Sequence, residues 1–280
     1  MAKVKALVIS GNGINCERET AFACRAAGAD AADIVPVWDL VAGEARLSDY
    51  NLLCLAGGFQ DGDDLGASRA GANRYRHARI GPGTDRAADG GSDKRLWDGL
   101  KEFVDASKLV IGICNGFQLM VKLGILPLLE PGDHRQTVTL TFNDSGRFED
   151  RWVDLACDPK SPCVFTRGIE SFEVPIRHGE GKLLARDSAL MDELSRRHLI
   201  PVRYRDPQTG RPTQEYPQNP NGSPGGAAGL CDPTGRLFGL MPHPECNTHR
   251  THHPRWTRLP DLPEEGLGLK IFRNAVEFLR

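Results

Sequence analysis

The chain has 280 residues, 40% of them hydrophobic, and a formal net charge of -2. That length suits one large α/β domain or two small ones and can bury a sizeable core. The balanced charge leaves no electrostatic footprint for nucleic acid, no apolar run approaches the roughly 18 residues of a membrane span, and the first residues carry no leader pattern, so the chain is expected in the cytoplasm with neither nucleic acid nor membrane as partner.

Taken in order, residues 4–9, 34–37, 52–56 and 109–113 read as buried strands, and 17–27 (stopped by Gly28) and 96–104 as helices. Residues 60–92 are polar and Gly-rich and read as an insertion carrying a short helix. Its basic stretch, 69–79, reads as a solvated loop or helix face. The pattern then changes. Residues 137–142, 152–156 and 172–176 alternate like half-exposed strands, and 187–197 has helical spacing. Residues 205–226 form a long loop rich in Pro, Gly, Asn and Gln, 237–241 a last buried strand, and 267–279 a C-terminal helix. Strands alternating with helices predict an α/β fold: a mostly parallel central sheet flanked by helices, with an antiparallel elaboration, in one domain.

Eight cysteines, at 16, 24, 54, 114, 157, 163, 231 and 246, include no C-x-x-C pair, so in a reducing compartment they are expected as thiols. Gly11-Asn12-Gly13 starts like a dinucleotide fingerprint but lacks the third glycine and the later acid. It reads as a tight turn. No Walker A sequence occurs, so nothing local cradles ATP phosphates. Cys246, His249, His252 and His253 offer zinc-type ligands but lack a second pair at matching spacing. They read as a polar surface loop, and no metal is expected.

The chemistry centres on Gly112-Ile113-Cys114-Asn115-Gly116, a Gly-x-Cys-x-Gly elbow between a strand and a helix. A helix N-terminus favours an anion by ~0.3–1 kcal/mol, against about 1.36 kcal/mol for one pKa unit. The dipole alone therefore moves the thiol by less than a unit, and an imidazole is needed as well. His243-Pro244-Glu245, after the last buried strand, supplies it: in an extended segment residues two apart point the same way, so the carboxylate can orient the ring. Both elements end buried strands and can meet at one sheet edge. The N–H of Asn115 and one from Gly58-Phe59 are candidate oxyanion donors, each worth ~10²–10³ in rate.

These residues, in this order, resemble the class I (triad) glutamine amidotransferases. The resemblance implies that Cys114 attacks the side-chain amide of glutamine, that His243 and Glu245 complete the triad, and that Gln118 helps hold the substrate. Further stretches resemble the branch that makes ammonia for amidation of formylglycinamide ribonucleotide in purine biosynthesis: NCERET at 15–20, GGFQDGD at 57–63, NDSGRFEDRW at 143–152, PIRHGEGK at 175–182, YPQNPNGS at 216–223 and MPHPE at 241–245. The same resemblance implies a synthetase partner, alone or with a small bridging subunit, that binds ATP and Mg, and no cofactor in this chain. Gln60-Asp61 departs from the Ser-Tyr of short bacterial forms, and residues 67–95 and 205–226 lengthen the chain. Two other readings fit the residues alone: a free-standing α/β cysteine hydrolase of a small amide or ester, and a non-catalytic binding module. The intact Cys, His and Glu argue against the second.

Overall fold

The computed structural model describes residues 2–81 and 94–280. The first part supplies β1 (Lys5–Ser10), α1 (Glu17–Ala26), β2 (Ala31–Pro36), α2 (Val37–Ala42), β3 (Leu52–Leu55) and α3 (Arg69–His77). Next come α4 (Leu96–Asp105), β4 (Leu109–Ile113) and α5 (Asn115–Leu123). The middle holds β5 (Val138–Thr141), β6 (Glu149–Cys157), β7 (Ser171–His178), β8 (Lys182–Ala185), α6 (Ser188–Arg196) and β9 (Val202–Tyr204). The chain closes with β10 (Gly229–Cys231), β11 (Leu237–Leu240) and α7 (Leu269–Leu279).

The main sheet has the order β10-β11-β4-β3-β1-β2. Its pairings are parallel except for β10, which runs antiparallel to β11 at the edge. Every residue of β3, β4 and β11 is buried, because helices cover both faces and no side chain can turn to water. The α/β expectation therefore holds. The antiparallel elaboration is present as two small sheets, β5-β8 and β7-β6-β9.

Two local expectations change, and a third holds. Residue 37 was expected to end a strand, but Pro36 stops β2 and Val37 opens α2. A helix of six residues is too short to show a period. The basic stretch is a solvated face only in part: Arg69, Asn73, His77 and Arg79 are exposed, while Arg74 and Arg76 are held against the protein. The Arg74 guanidinium bonds Asp61 at 2.6 Å and lies 3.9 Å above the Trp38 ring. Arg76 donates to the carbonyls of Lys122 and Leu123 at 3.2 Å, at the negative end of α5. The short helix of the expected insertion is α3, while residues 82–93 lie outside the described residues. The long loop at 205–226 is present as expected and is anchored to the protein. Asn221 Nδ2 donates to the Gly181 carbonyl at 2.7 Å and to the Tyr204 hydroxyl at 2.9 Å, so its buried amide is satisfied. Among the described residues, no helix is long and apolar enough to cross a membrane.

Candidate active site

β4 ends at Ile113, and the chain turns at Cys114 with φ 52° and ψ -106° before α5 begins. Positive φ is costly for a side-chain-bearing residue and persists only where neighbours enforce it. The Cys114 N–H donates to the Leu240 carbonyl of β11 at 2.8 Å. The flanking glycines are required by close approach. A Cβ on Gly112 would lie 2.5 Å from Met120 Sδ and 2.7 Å from the Gly116 backbone. A Cβ on Gly116 would overlap the Leu55 carbonyl. The Gly-x-Cys-x-Gly pattern is thus what lets α5 press onto β3 and β4 while the sulfur stands at the sheet edge.

β11 is parallel to β4, with Leu240 opposite Ile113, so the segment after β11 emerges beside Cys114. His243 and Glu245 meet, but not in the extended geometry expected. Pro244–Cys246 is a 3₁₀ turn, and the turn itself carries the carboxylate back to the ring. His243 Nδ1 lies 2.6 Å from Glu245 Oε1, and both side chains are buried. Burial would push the His243 ring down. The carboxylate of Glu245, and then the Cys114 sulfur, outweigh it and hold the ring well above its ordinary value. Nε2 of His243 and Oε2 of Glu245 are buried without hydrogen-bond partners.

The antiparallel sheet contacts both His243 and Cys114. β7 is an edge strand, paired on one side to β6, and Pro175 can sit there because it has no N–H to donate. Its carbonyl accepts the His243 N–H at 2.8 Å. Two residues on, the Arg177 carbonyl accepts the Cys114 thiol at 3.6 Å. The Arg177 guanidinium reaches Cys246 Sγ at 2.6 Å. Sequence reasoning gave Arg177 no role. Its only signal was membership of the 175–182 stretch.

The expected oxyanion residues surround the elbow. Gly58 pairs with Ile14 in an isolated bridge that uses the N–H groups of Asn15 (to Gly57, 3.2 Å) and Phe59 (to Gly13, 2.7 Å). The Phe59 N–H is therefore committed to the protein, which leaves the Gly58 N–H as the candidate donor of this loop. Gly58 has φ 144°, and a Cβ there would lie 2.5 Å from the Gly13 carbonyl oxygen, so the position demands glycine. The Phe59 ring is half-exposed, 6.3 Å from that of Phe148. Asn115 is tied down through its side chain, which accepts the Gln60 N–H at 3.0 Å and donates to Gln118 Oε1 at 3.0 Å. Gln118 Nε2 donates to the Glu180 carbonyl at 2.7 Å, so its amide is oriented from both ends.

Two further neighbours were missed. Cys16, at the start of α1, places Sγ 3.9 Å from His243 Nδ1. His178 is fully buried, with Nδ1 3.1 Å from Asn143 Oδ1. Burial, and then the charge of His243, push the His178 ring down to about 3. A histidine whose folded value lies below its unfolded value, near 6.5, stabilises the fold fully above that value and loses the contribution as pH falls toward 3. We expect stability to fall between about pH 6.5 and 3 with a His178 contribution of up to ~1.4 kcal/mol per pH unit. Thermal melts of His178→Gln across that window should show a shallower slope, and identical slopes would refute this assignment.

The residues weighed for zinc do not gather. Cys246 takes the Arg177 contact, His249 Nδ1 lies 2.8 Å from Thr251 Oγ1, and His252 Nδ1 accepts the Thr248 N–H at 3.3 Å. Nor is this wholly a surface loop. His253 is buried, with Nε2 2.6 Å from Glu173 Oε2 and its ring edge-on to Trp152 at 5.0 Å.

The model of the CobB/CobQ-like glutamine amidotransferase domain matches residues 3–279. The chain belongs to the glutamine amidotransferase family. The amidotransferase is 42% identical over 280 residues to the phosphoribosylformylglycinamidine synthase subunit PurQ of Dehalococcoides mccartyi, covering 100% of this chain and 99% of that one. It is 40% identical over 283 residues to the subunit of the same name from Methanococcus maripaludis strain C5, with 98% of each covered. Among solved structures it is similar to a chain of PurLQS from Thermotoga maritima, with a TM-score of 0.68, 25% identity and full coverage of both chains.

Proposed function

We propose that this amidotransferase is the glutaminase subunit of phosphoribosylformylglycinamidine synthase, releasing ammonia from glutamine for an ATP-dependent synthetase partner in purine biosynthesis. The observation that carries the reading is the buried His243–Glu245 pair, with Nδ1 and Oε1 2.6 Å apart, set beside a positive-φ cysteine elbow. End-to-end similarity to subunits of that name supports the choice among amidotransferases.

The chemistry follows from the unpartnered atoms. His243 Nε2 takes the Cys114 proton, and the thiolate attacks the amide carbon of glutamine. The N–H groups of Asn115 and Gly58 face the oxyanion. As the C–N bond breaks, Nε2 returns the proton and ammonia leaves. Water, deprotonated by the same nitrogen, then hydrolyses the glutamyl thioester to glutamate. Glu245 keeps Nδ1 as the donor nitrogen throughout. Gln118, fixed by Asn115 and Glu180, forms the wall against which glutamine is held. ATP and magnesium act on the partner. The three letters of the Thermotoga maritima PurLQS support a small bridging subunit beside the synthetase.

The test mixes this chain with its host's ATP-dependent synthetase and follows glutamate release. Glutamine should support amidation in the mixture as ammonia does, with glutamate formed in step. Full glutamine turnover by the chain alone, unchanged by the synthetase and its substrates, would favour the free-standing hydrolase.

A further inference from the structure

The triad histidine has a second thiol beside it that the proposed reaction does not use. Cys16 Sγ lies 3.9 Å from Nδ1 of His243, the nitrogen that meets Glu245 Oε1 at 2.6 Å. Its thiol donates to Asn15 Oδ1 at 3.2 Å. Gly57 makes room for the arrangement: a Cβ there would lie 2.8 Å from the His243 ring and 3.4 Å from the Cys16 sulfur. The ligand atoms of Cys16, His243 and Glu245 all lie within 4.8 Å of one another, and all three residues are buried. Among the described residues, no other three Cys, His, Asp or Glu side chains gather this closely.

We propose that Cys16, His243 and Glu245 form a site for a borderline-soft divalent cation, Zn²⁺ or its analogue Cd²⁺, and that the ion acts there as a reversible inhibitor. The donors are one thiolate, one imidazole and one carboxylate, the three ligand types zinc accepts, at about 2.3 Å for sulfur, 2.0–2.1 Å for nitrogen and 2.0–2.2 Å for oxygen. A tetrahedral ion with those bonds sets sulfur and nitrogen about 3.6 Å apart, and nitrogen and oxygen about 3.4 Å apart. From the observed positions Cys16 closes by about 0.3 Å and Glu245 withdraws by about 0.8 Å, both within reach of side-chain rotation. Asn15 Oδ1 or a water completes the tetrahedron. On binding, the Cys16 thiol proton and the Nδ1 proton pass to solvent. The Nδ1–Oε1 hydrogen bond is lost, and with it the orientation of the base. Cys114 is not a ligand.

Cation binding stands apart from the proposed function; only the inhibition rests on it. The experiment titrates Cd²⁺ into the full chain and follows the ultraviolet thiolate-to-cadmium charge-transfer band. The buried thiols Cys24 and Cys54, 3.7 Å apart, are a competing sulfur pair, so variants must assign the band. The expected result is saturation at one equivalent, unchanged in Cys114→Ala and weakened at least about tenfold in Cys16→Ser and in Glu245→Gln. Circular dichroism checks each variant, and Glu245→Gln, which keeps the sulfur, decides the matter if Cys16→Ser does not fold. In the assembled enzyme Zn²⁺ should lower glutamine-dependent but not ammonia-dependent turnover until a chelator is added. Absence of the band, equal Cd²⁺ affinity in wild type and Cys16→Ser, or loss of the band in Cys114→Ala would overturn the site.

Discussion

Replacing Cys114 with alanine should lower glutamine hydrolysis by about 10⁴-fold or more in the assembled enzyme, while amidation driven by added ammonia is retained. The size of the effect follows from the absence of a substitute. Cys16 faces Nδ1, which is held by Glu245, and Cys246 is held by the Arg177 guanidinium. Neither stands on the elbow at the start of α5, where the first N–H groups of the helix meet the developing charge. The fold should survive, because the change removes one sulfur whose hydrogen bond is a long 3.6 Å contact to a carbonyl. Glutamate release at a tenth of the wild-type rate or more would remove Cys114 as the nucleophile. Loss of the ammonia-driven rate as well would point to failed assembly instead.

The largest effect on stability should come from Gly116→Ala. The added Cβ would overlap the Leu55 carbonyl oxygen and lie 2.6 Å from its carbon. Both partners are backbone, one at the end of β3 and one in the first turn of α5, so no rotamer change relieves the clash. A cost above about 3 kcal/mol is expected, a fall in Tm of roughly 6 °C or more for a chain of this size. Gly179→Ala is the control. Its Cβ would meet nothing within 4 Å, and its backbone is not left-handed, so a change within about 0.5 kcal/mol is expected. Equal melting temperatures for the two variants would show that the backbone of Leu55 or of α5 yields to the added methyl group.

The proposed triad was legible because its residues sit at strand ends, and buried strands announce themselves as apolar runs. Residues 109–113 and 237–241 were readable as buried strands that could end at one sheet edge; that they are direct neighbours, across more than a hundred intervening residues, is seen only in the structure. The reason given for the His243–Glu245 contact was wrong, although the contact exists. An extended segment was expected and a 3₁₀ turn delivers the same meeting, because Pro244 favours the first position of such a turn as readily as an extended step. Which N–H of Gly58-Phe59 remains free depends on the bridge to Ile14, a pairing of residues 44 positions apart that no local pattern encodes. Cys16, Arg177 and His178 escaped for the same reason. Each joins the site through a separate element, and a lone cysteine or arginine carries no period. The basic stretch at 69–79 was legible only in part. Charge was read as solvation, which holds for Arg69, His77 and Arg79, whereas Arg74 pairs with Asp61 over the Trp38 ring and Arg76 caps the carbonyls at the end of α5.

The two carbonyls of β7 amount to a gauge block. Pro175 and Arg177 are separated by one intervening residue, so the strand repeat of about 6.6–6.8 Å spaces the contact to the backbone of His243, the proposed base, from the contact to the sulfur of Cys114, the proposed nucleophile. That length belongs to the β6–β7 ladder and not to the parallel sheet on which both residues are mounted. A slip of one residue in that ladder would turn both carbonyls to the opposite side together. Catalytic alignment would then be lost while the central sheet stayed whole. The antiparallel elaboration is therefore the calibrating part of the enzyme, and the parallel sheet is the bench on which it is read.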